Sequence, residues 1–348
     1  MCGAHAQVMS AAELSIGLRV SKITRSDVRR ALWEDRSLVK TIGPRGTVHL
    51  IAASDLPMWN AVLDVSLQPG SFPPGVRLDD DRTEAVIAAI DDALADADLT
   101  LDELDVEVPK RAGRWAGERV MPAFQEVWPR WRLAIRPAAA RGALCFGPNH
   151  GRTLTYASPK RWVEGYQPAD PETATRAALR RYLYAYGPAR PEHFARWIGS
   201  SPRWAKDAFA AAGDGIEPVE VESDEHWQVA GDEVPPDEPA GVRLLPYFDA
   251  YGVGCHPRER LFVGRAAERA LARGQAGNYP ILIICGRVEG VWHQKRSGTK
   301  LAVTVEPFRK LSSEEHRGLE EQIEHVGRVQ EAKTVTLTIG TVTAGPHA

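Results

Sequence analysis

The sequence predicts an α+β fold, with tandem winged helix-turn-helix units followed by a C-terminal β-barrel domain. Three observations carry that expectation. IGPRGTVHLIAASDLPMW from Ile42 and FGPNHGRTLTYASPKRWV from Phe146 share one layout: Gly-Pro, a Gly-containing turn, a β-prone run, then Ala-Ser, Pro and Trp. Helical material precedes each, and helices followed by a two-stranded hairpin make a winged helix. After DEVPPDEPAG the composition changes to short β-branched runs separated by turns, the mark of a small barrel or sandwich.

The elements follow in order. The chain opens MCGAHAQVMSAAEL, in which Ser10-Ala11-Ala12-Glu13 reads as a capping box, so a helix is expected to start at Ala11. His5 and Gln7 therefore precede the helix, and in extended backbone residues two apart project to the same side. An imidazole that accepts a proton and a carboxamide that both donates and accepts can hold one water in a fixed direction. The bland alternative is a polar pair in a frayed terminus. TRSDVRRALW, Thr24 to Trp33, opens with a Thr-x-x-Asp cap and reads as the next helix. Val120, Phe124 and Val127 repeat at helical spacing ahead of the second hairpin. A third, weaker copy runs from ATRAALRRYLYAYGP through EHFARWIG, with Phe194 and Trp197 facing inwards. Its candidate strands in GIEPVEVESDEHWQVA are acidic, which points to a structural role. Beyond the linker come LLPYFDAYGVG, ILIICGRVEGVWHQ, KLAVTVEPF and KTVTLTIGTV, with the helix EEHRGLEEQIEHVGRV before the last. Four modules are expected: residues 1–68, 79–168, 170–232 and 242–348.

A length of 348 residues suits two or more modules, and 43% hydrophobic with 26% charged residues is ordinary for a folded chain. The net charge of −3 argues against a uniformly basic protein. The charge is nevertheless uneven: Asp79 to Glu107 holds twelve Asp/Glu against one Arg, whereas Lys110 to Trp162 holds eleven Lys/Arg against two Glu. Cys2, Cys145, Cys255 and Cys285 form no metal-ligand spacing, so a zinc site is not indicated, and no metal or cofactor is expected. No apolar run suits a membrane span and the start lacks a secretion signal, so a cytoplasmic protein is expected, and the tandem layout in one chain points to a monomer. The serine-hydrolase elbow, the Walker loop and the zinc-protease motif are missing, and GVG at Gly252 lacks the third glycine of a dinucleotide fingerprint. Isolated histidines such as His193 and His325 read as surface or core residues.

The opening with its apolar-spaced polar pair, SAAELSIGLRV, EHFARWIG and LLPYFDAYGVG together resemble the winged-helix bacterial alkylpurine DNA glycosylases of the AlkZ and YcaQ type, over nearly the whole chain. In that family tandem winged helices and a C-terminal β-barrel surround duplex DNA, and a Gln-apolar-Gln motif carries the reaction. By resemblance His5 takes the place of the first Gln, Ala6 is the apolar spacer and Gln7 is the second Gln. A His-first branch of the family is associated with producers of bulky alkylating agents. The family's further helix ahead of the motif has no counterpart here, so the first unit is expected to be incomplete at its N-terminal end.

The resemblance implies a monofunctional DNA glycosylase acting on N7-alkylated guanine in double-stranded DNA, in base excision repair or self-resistance. His5, ordinarily neutral at physiological pH for an imidazole, would take a proton from the water that Gln7 orients. DNA contacts are expected from Arg29, Arg30, Lys40 and Arg45 around the first wing and from Arg152 and Lys160 around the second. Lys295, Arg296 and Lys300 on the hairpin at RSGTK would add a third group. A bulky lesion is expected to be read from the groove without full base flipping. The alternatives are a non-catalytic winged-helix DNA-binding regulator and, more distantly, a protein-interaction module.

Overall fold

The computed structural model describes every residue except 69, 71, 74, 124, 125, 234–238, 347 and 348. In chain order the first elements are β1 (Ala4–His5), α1 (Met9–Gly17), α2 (Arg25–Trp33), β2 (Leu38–Ile42), β3 (Val48–Ala52) and α3 (Leu56–Ser66). There follow α4 (Asp80–Ala93), β4 (Leu99–Thr100), α5 (Leu101–Ala112), β5 (Arg119–Pro122), β6 (Val127–Pro129), α6 (Ile135–Ala140), β7 (Cys145–His150), β8 (Thr153–Ala157) and α7 (Pro159–Trp162). Next are α8 (Pro171–Tyr186), α9 (Pro191–Ile198), α10 (Pro202–Ala210), β9 (Ile216–Val221) and β10 (Asp224–Val229). The chain ends with β11 (Val242–Leu245), α11 (Ala250–Gly254), α12 (Arg265–Arg269), β12 (Ile281–Ile284), β13 (Arg287–Ser297), β14 (Lys300–Pro307), α13 (Ser313–Val329) and β15 (Thr334–Ile339). The contacts gather into two compact units. One combines Met1–Ala31, Leu183–Ala189 and Glu217–Ala348; the other combines Leu32–Tyr182 and Arg190–Ile216.

In the second unit the hairpins β2–β3 and β7–β8 form where Gly-Pro turns and β-branched runs predict them. They are also joined, because β2 pairs antiparallel with β7 through Lys40 and Phe146, and β4 extends β8. Apolar residues at helical spacing on α4 and α5, among them Val86, Ile90, Leu104 and Val108, pack with Trp131, Phe146 and Tyr156 in one core. A second cluster forms around the third copy, where Phe194 and Trp197 are buried beside Tyr182 and Trp204. The helix expected over Val120, Phe124 and Val127 is not formed. Val120 and Val127 lie in the antiparallel strands β5 and β6, since Pro122 and Pro129 remove helical donors, and Phe124 lies outside the described residues.

In the first unit the C-terminal strands form one sheet in the order β11-β12-β13-β14-β15. All neighbours are antiparallel except β14 and β15, and a parallel pair needs the crossover that α13 supplies. Its apolar face, from Leu319, Ile323 and Val326, fills a core with Trp292, Val303 and Leu14 of α1. Among the described residues β11 and β15 remain separate edges, so an open sheet stands in place of the expected closed barrel. The strands of GIEPVEVESDEHWQVA form as β9 and β10, a separate two-stranded sheet. No helix among the described residues is long and apolar enough to cross a membrane.

Candidate active site

The opening segment, α1 and the stretch around Phe248 belong to the first unit. Ala4 and Ala6 are buried at 1% exposure on either side of His5, so a small residue before and after the imidazole lets the backbone pack closely. His5 itself is buried, and Gln7 is exposed. The imidazole stacks on Phe248, with ring centroids 4.5 Å apart and planes 29° from parallel. The capping box expected at Ser10 is not made. Helix α1 starts at Met9 without a side-chain cap, and the Glu13 carboxylate that was to reach back is buried and bonded by Arg29 at 2.6 and 3.3 Å. A guanidinium sixteen residues away outcompetes a local amide because a bidentate, charge-assisted pair is the stronger interaction.

The turn beneath His5 is held from several sides. Phe248 has φ 53°, a conformation most side chains avoid, and its amide donates to the Gly277 carbonyl at 3.0 Å. A methyl group on Gly277, itself at φ 97°, would stand 2.9 Å from the Phe248 ring and 3.2 Å from its Cα, so glycine is required for this approach. The next residue, Asp249, is buried and accepts hydrogen bonds from Ser15 and Arg19 of the helix region that carries SAAELSIGLRV. Burial alone would lower the Arg19 pKa, but the Asp249 carboxylate outweighs it and holds the guanidinium above its ordinary value. Tyr186 donates its hydroxyl to the Met1 carbonyl at 3.2 Å, and its ring fills the space beside Gly254. The opening segment is thus braced at Met1, at His5 and along α1. Sequence reasoning picked out LLPYFDAYGVG and SAAELSIGLRV separately; an aspartate inside an apolar run was the signal that they meet.

The expected cations fall into two sets. Arg29 is paired with Glu13, Arg30 with Asp27 at 2.8 Å, and Lys160 with Asp91 at 2.7 Å. Arg45 donates to the Trp197 carbonyl at 2.6 Å. Lys40 is half-buried with its ammonium 5.2 Å from the centre of the Phe146 ring, and burial lowers its pKa. Arg296 donates to the carbonyl of Gln330, the residue that ends α13, a favourable place for a cation. Against these, Arg152, Lys295 and Lys300 are exposed and make no ion pair among the described residues. Alternation along β13 and the register of Ser297 opposite Lys300 put Lys295 and Lys300 on one face and Arg296 on the other.

The sequence profile of the family described as DNA glycosylase AlkZ-like matches residues 1–329. The chain belongs to this family and is a DNA glycosylase, an enzyme of DNA repair. It is 30% identical over 349 residues to the "Interstrand DNA cross-link repair glycosylase" of Streptomyces sahachiroi, covering 94% of this chain and 88% of that protein. The solved structure of Streptomyces sahachiroi DNA glycosylase AlkZ resembles it with a TM-score of 0.81 and 28% identity, over 97% of this chain and 91% of that one.

Proposed function

We propose that this glycosylase hydrolyses the bond between deoxyribose and N7-alkylated guanine in duplex DNA, with His5 and Gln7 governing the attacking water. The observation that carries the reading is the packing of the opening segment. An imidazole is buried against Phe248 between two buried alanines, and a carboxamide follows two residues later at the surface. A frayed terminus would not bury its imidazole in this way.

Alkylation at N7 leaves the purine positively charged, so the electrons of the glycosidic bond depart onto the base without a general acid. The sugar becomes oxocarbenium-like, and the enzyme's task is to place a water and to stabilise the charge that develops. Gln7 donates to and accepts from that water, and the His5 imidazole takes its proton as the C1′–O bond forms. The relative from Streptomyces sahachiroi is named for cross-link repair, and bulky adducts at the same ring nitrogen fit the His-first opening. Recognition from the groove suits such lesions better than extrusion into a tight pocket. Arg152, Lys295 and Lys300 supply phosphate contacts, with Arg30, Lys40 and Lys160 available where DNA competes for their present neighbours. The winged-helix organisation of the family, with the four modules 1–68, 79–168, 170–232 and 242–348, is part of the same reading, as is action by a single chain.

Incubation of the protein with duplex DNA containing N7-methylguanine, followed by heat or alkali, tests the reading by strand cleavage at the resulting abasic site. His5→Ala and Gln7→Ala are each expected to lower single-turnover base release at least about a hundredfold, with duplex affinity nearly unchanged. Equal loss of binding and release would contradict this division of roles.

A further inference from the structure

Asp249 takes no part in the chemistry above, yet four donors converge on its side chain, which is 1% exposed. Its Oδ1 accepts from Arg19 Nη2 at 2.7 Å and from the Tyr251 amide at 3.0 Å. Its Oδ2 accepts from the Ser15 hydroxyl at 2.6 Å and from Arg19 Nη1 at 2.8 Å. Taking a carboxylate out of water is costly, and apolar side chains of similar volume often stabilise such a place as well or better. What they lack is direction. Three of these bonds, one from Ser15 of α1 and two from Arg19 just beyond it, cross to the turn that carries Asp249 and fix both the rotation and the axial position of the helix against it.

Those two elements are the ones that hold His5. The chain runs from His5 through Gln7 directly into α1, so the helix sets where both side chains begin. Phe248, adjacent to Asp249, lays its ring on the imidazole, and its left-handed backbone is sustained by the close approach of Gly277. A shift of α1 relative to the turn would slide the imidazole along the phenyl face and change the direction of its nitrogens. None of the cations read above as phosphate contacts lies on α1 or on that turn.

We propose that Asp249, with Arg19 and Ser15, is the positioning group of the N-terminal reaction site, locking α1 to the Phe248 turn so that the His5 imidazole keeps one orientation. The proposal rests on the reading of His5 as the group that accepts the water's proton. Misplacement of a reacting group by about 1 Å costs on the order of a hundredfold in rate, which sets the scale of the effect.

The test uses the full chain labelled with 13C-histidine. The His5 Cε1–H resonance is assigned by its loss in His5→Ala, and its displacement by the Phe248 ring reports the stack. In Asp249→Asn this resonance is expected to move towards the free-histidine position. Single-turnover release of N7-methylguanine should fall about ten- to hundredfold, with duplex affinity within about twofold. Ser15→Ala, which keeps the ion pair and removes one donor, should show part of the same displacement and about a threefold loss; it carries the test if Asp249→Asn does not fold. A folded variant in which the His5 resonance stays put, or in which affinity falls as far as rate, overturns the proposal. Unimpaired release by His5→Ala would instead overturn the catalytic reading beneath it, a result distinct from an unmoved resonance.

Discussion

The hairpins β2–β3 and β7–β8 are written in nearly the same order of residues and lie beside each other in one sheet, yet their turns do opposite things. In the first turn Arg45 stands at φ 61° and spends its guanidinium on the Trp197 carbonyl, while Arg136 donates to the carbonyl of Arg45 at 2.8 Å. Gly199, which ends α9, is pressed against the Arg45 backbone. In the second turn Gly151 borders open space and Arg152 is exposed. One arginine is an internal tie and the other is available to a polyanion. A shared motif therefore fixes the shape of a turn, while the surroundings decide what its charge is for.

The contrast is broken most severely at the glycines. A methyl group on Gly199, at φ 89°, would stand 2.8 Å from the Arg45 Cα, so Gly199→Ala adds backbone overlap to conformational strain. It should cost about 3 kcal/mol. Gly151→Ala, at φ 64° with nothing within 4 Å, should cost only about 1 kcal/mol. Paired melting curves measure the gap, and equal losses would mean that the two turns are equally constrained. The arginines come next. Arg45→Ala should lower stability by about 2 kcal/mol through loss of a charged donor to a carbonyl. Arg152→Ala should leave the melt in place and flatten the slope of log affinity against log salt by about 0.9 if it meets one phosphate.

The smallest effect tests the same distinction between tied and open charges away from the hairpins. Arg309 bonds Glu315 at 2.7 Å and, with the Ser312 amide, holds that carboxyl down at about 2 from an ordinary 4.5. A lowered carboxyl contributes stability that is complete above the ordinary value and fades as pH falls from about 4.5 to about 2. Glu315→Gln should therefore narrow the difference in melting temperature between neutral and acid solution, by a few degrees or less since the pair is near the surface.

Local chemistry was what the sequence made legible. The two Gly-Pro hairpins form, the Thr24–Asp27 cap is made with bonds of 2.8 and 2.9 Å, and β9 and β10 pair where the acidic copy has its strands. What failed depended on partners remote in the chain. Glu13 suits a capping box until Arg29 is folded against it, and helical spacing at Val120 and Val127 does not survive the prolines around it. Whether the last strands close into a barrel is decided by edges that the runs themselves do not encode. For the opening segment, His5 and Gln7 could be singled out by type and spacing, but the carboxylate that anchors their helix lies 234 residues beyond Ser15.

That separation has a consequence for a chain still on the ribosome. Leu14 of α1 packs in a core whose other members run from Val242 to Val329, and Asp249 and Phe248 come from the same late stretch. Until synthesis has passed that stretch, the segment around His5 and α1 has none of these neighbours, so its packing is among the last things the nascent polypeptide acquires. Premature termination anywhere before the C-terminal sheet leaves a fragment in which His5 and Gln7 are present but unsupported.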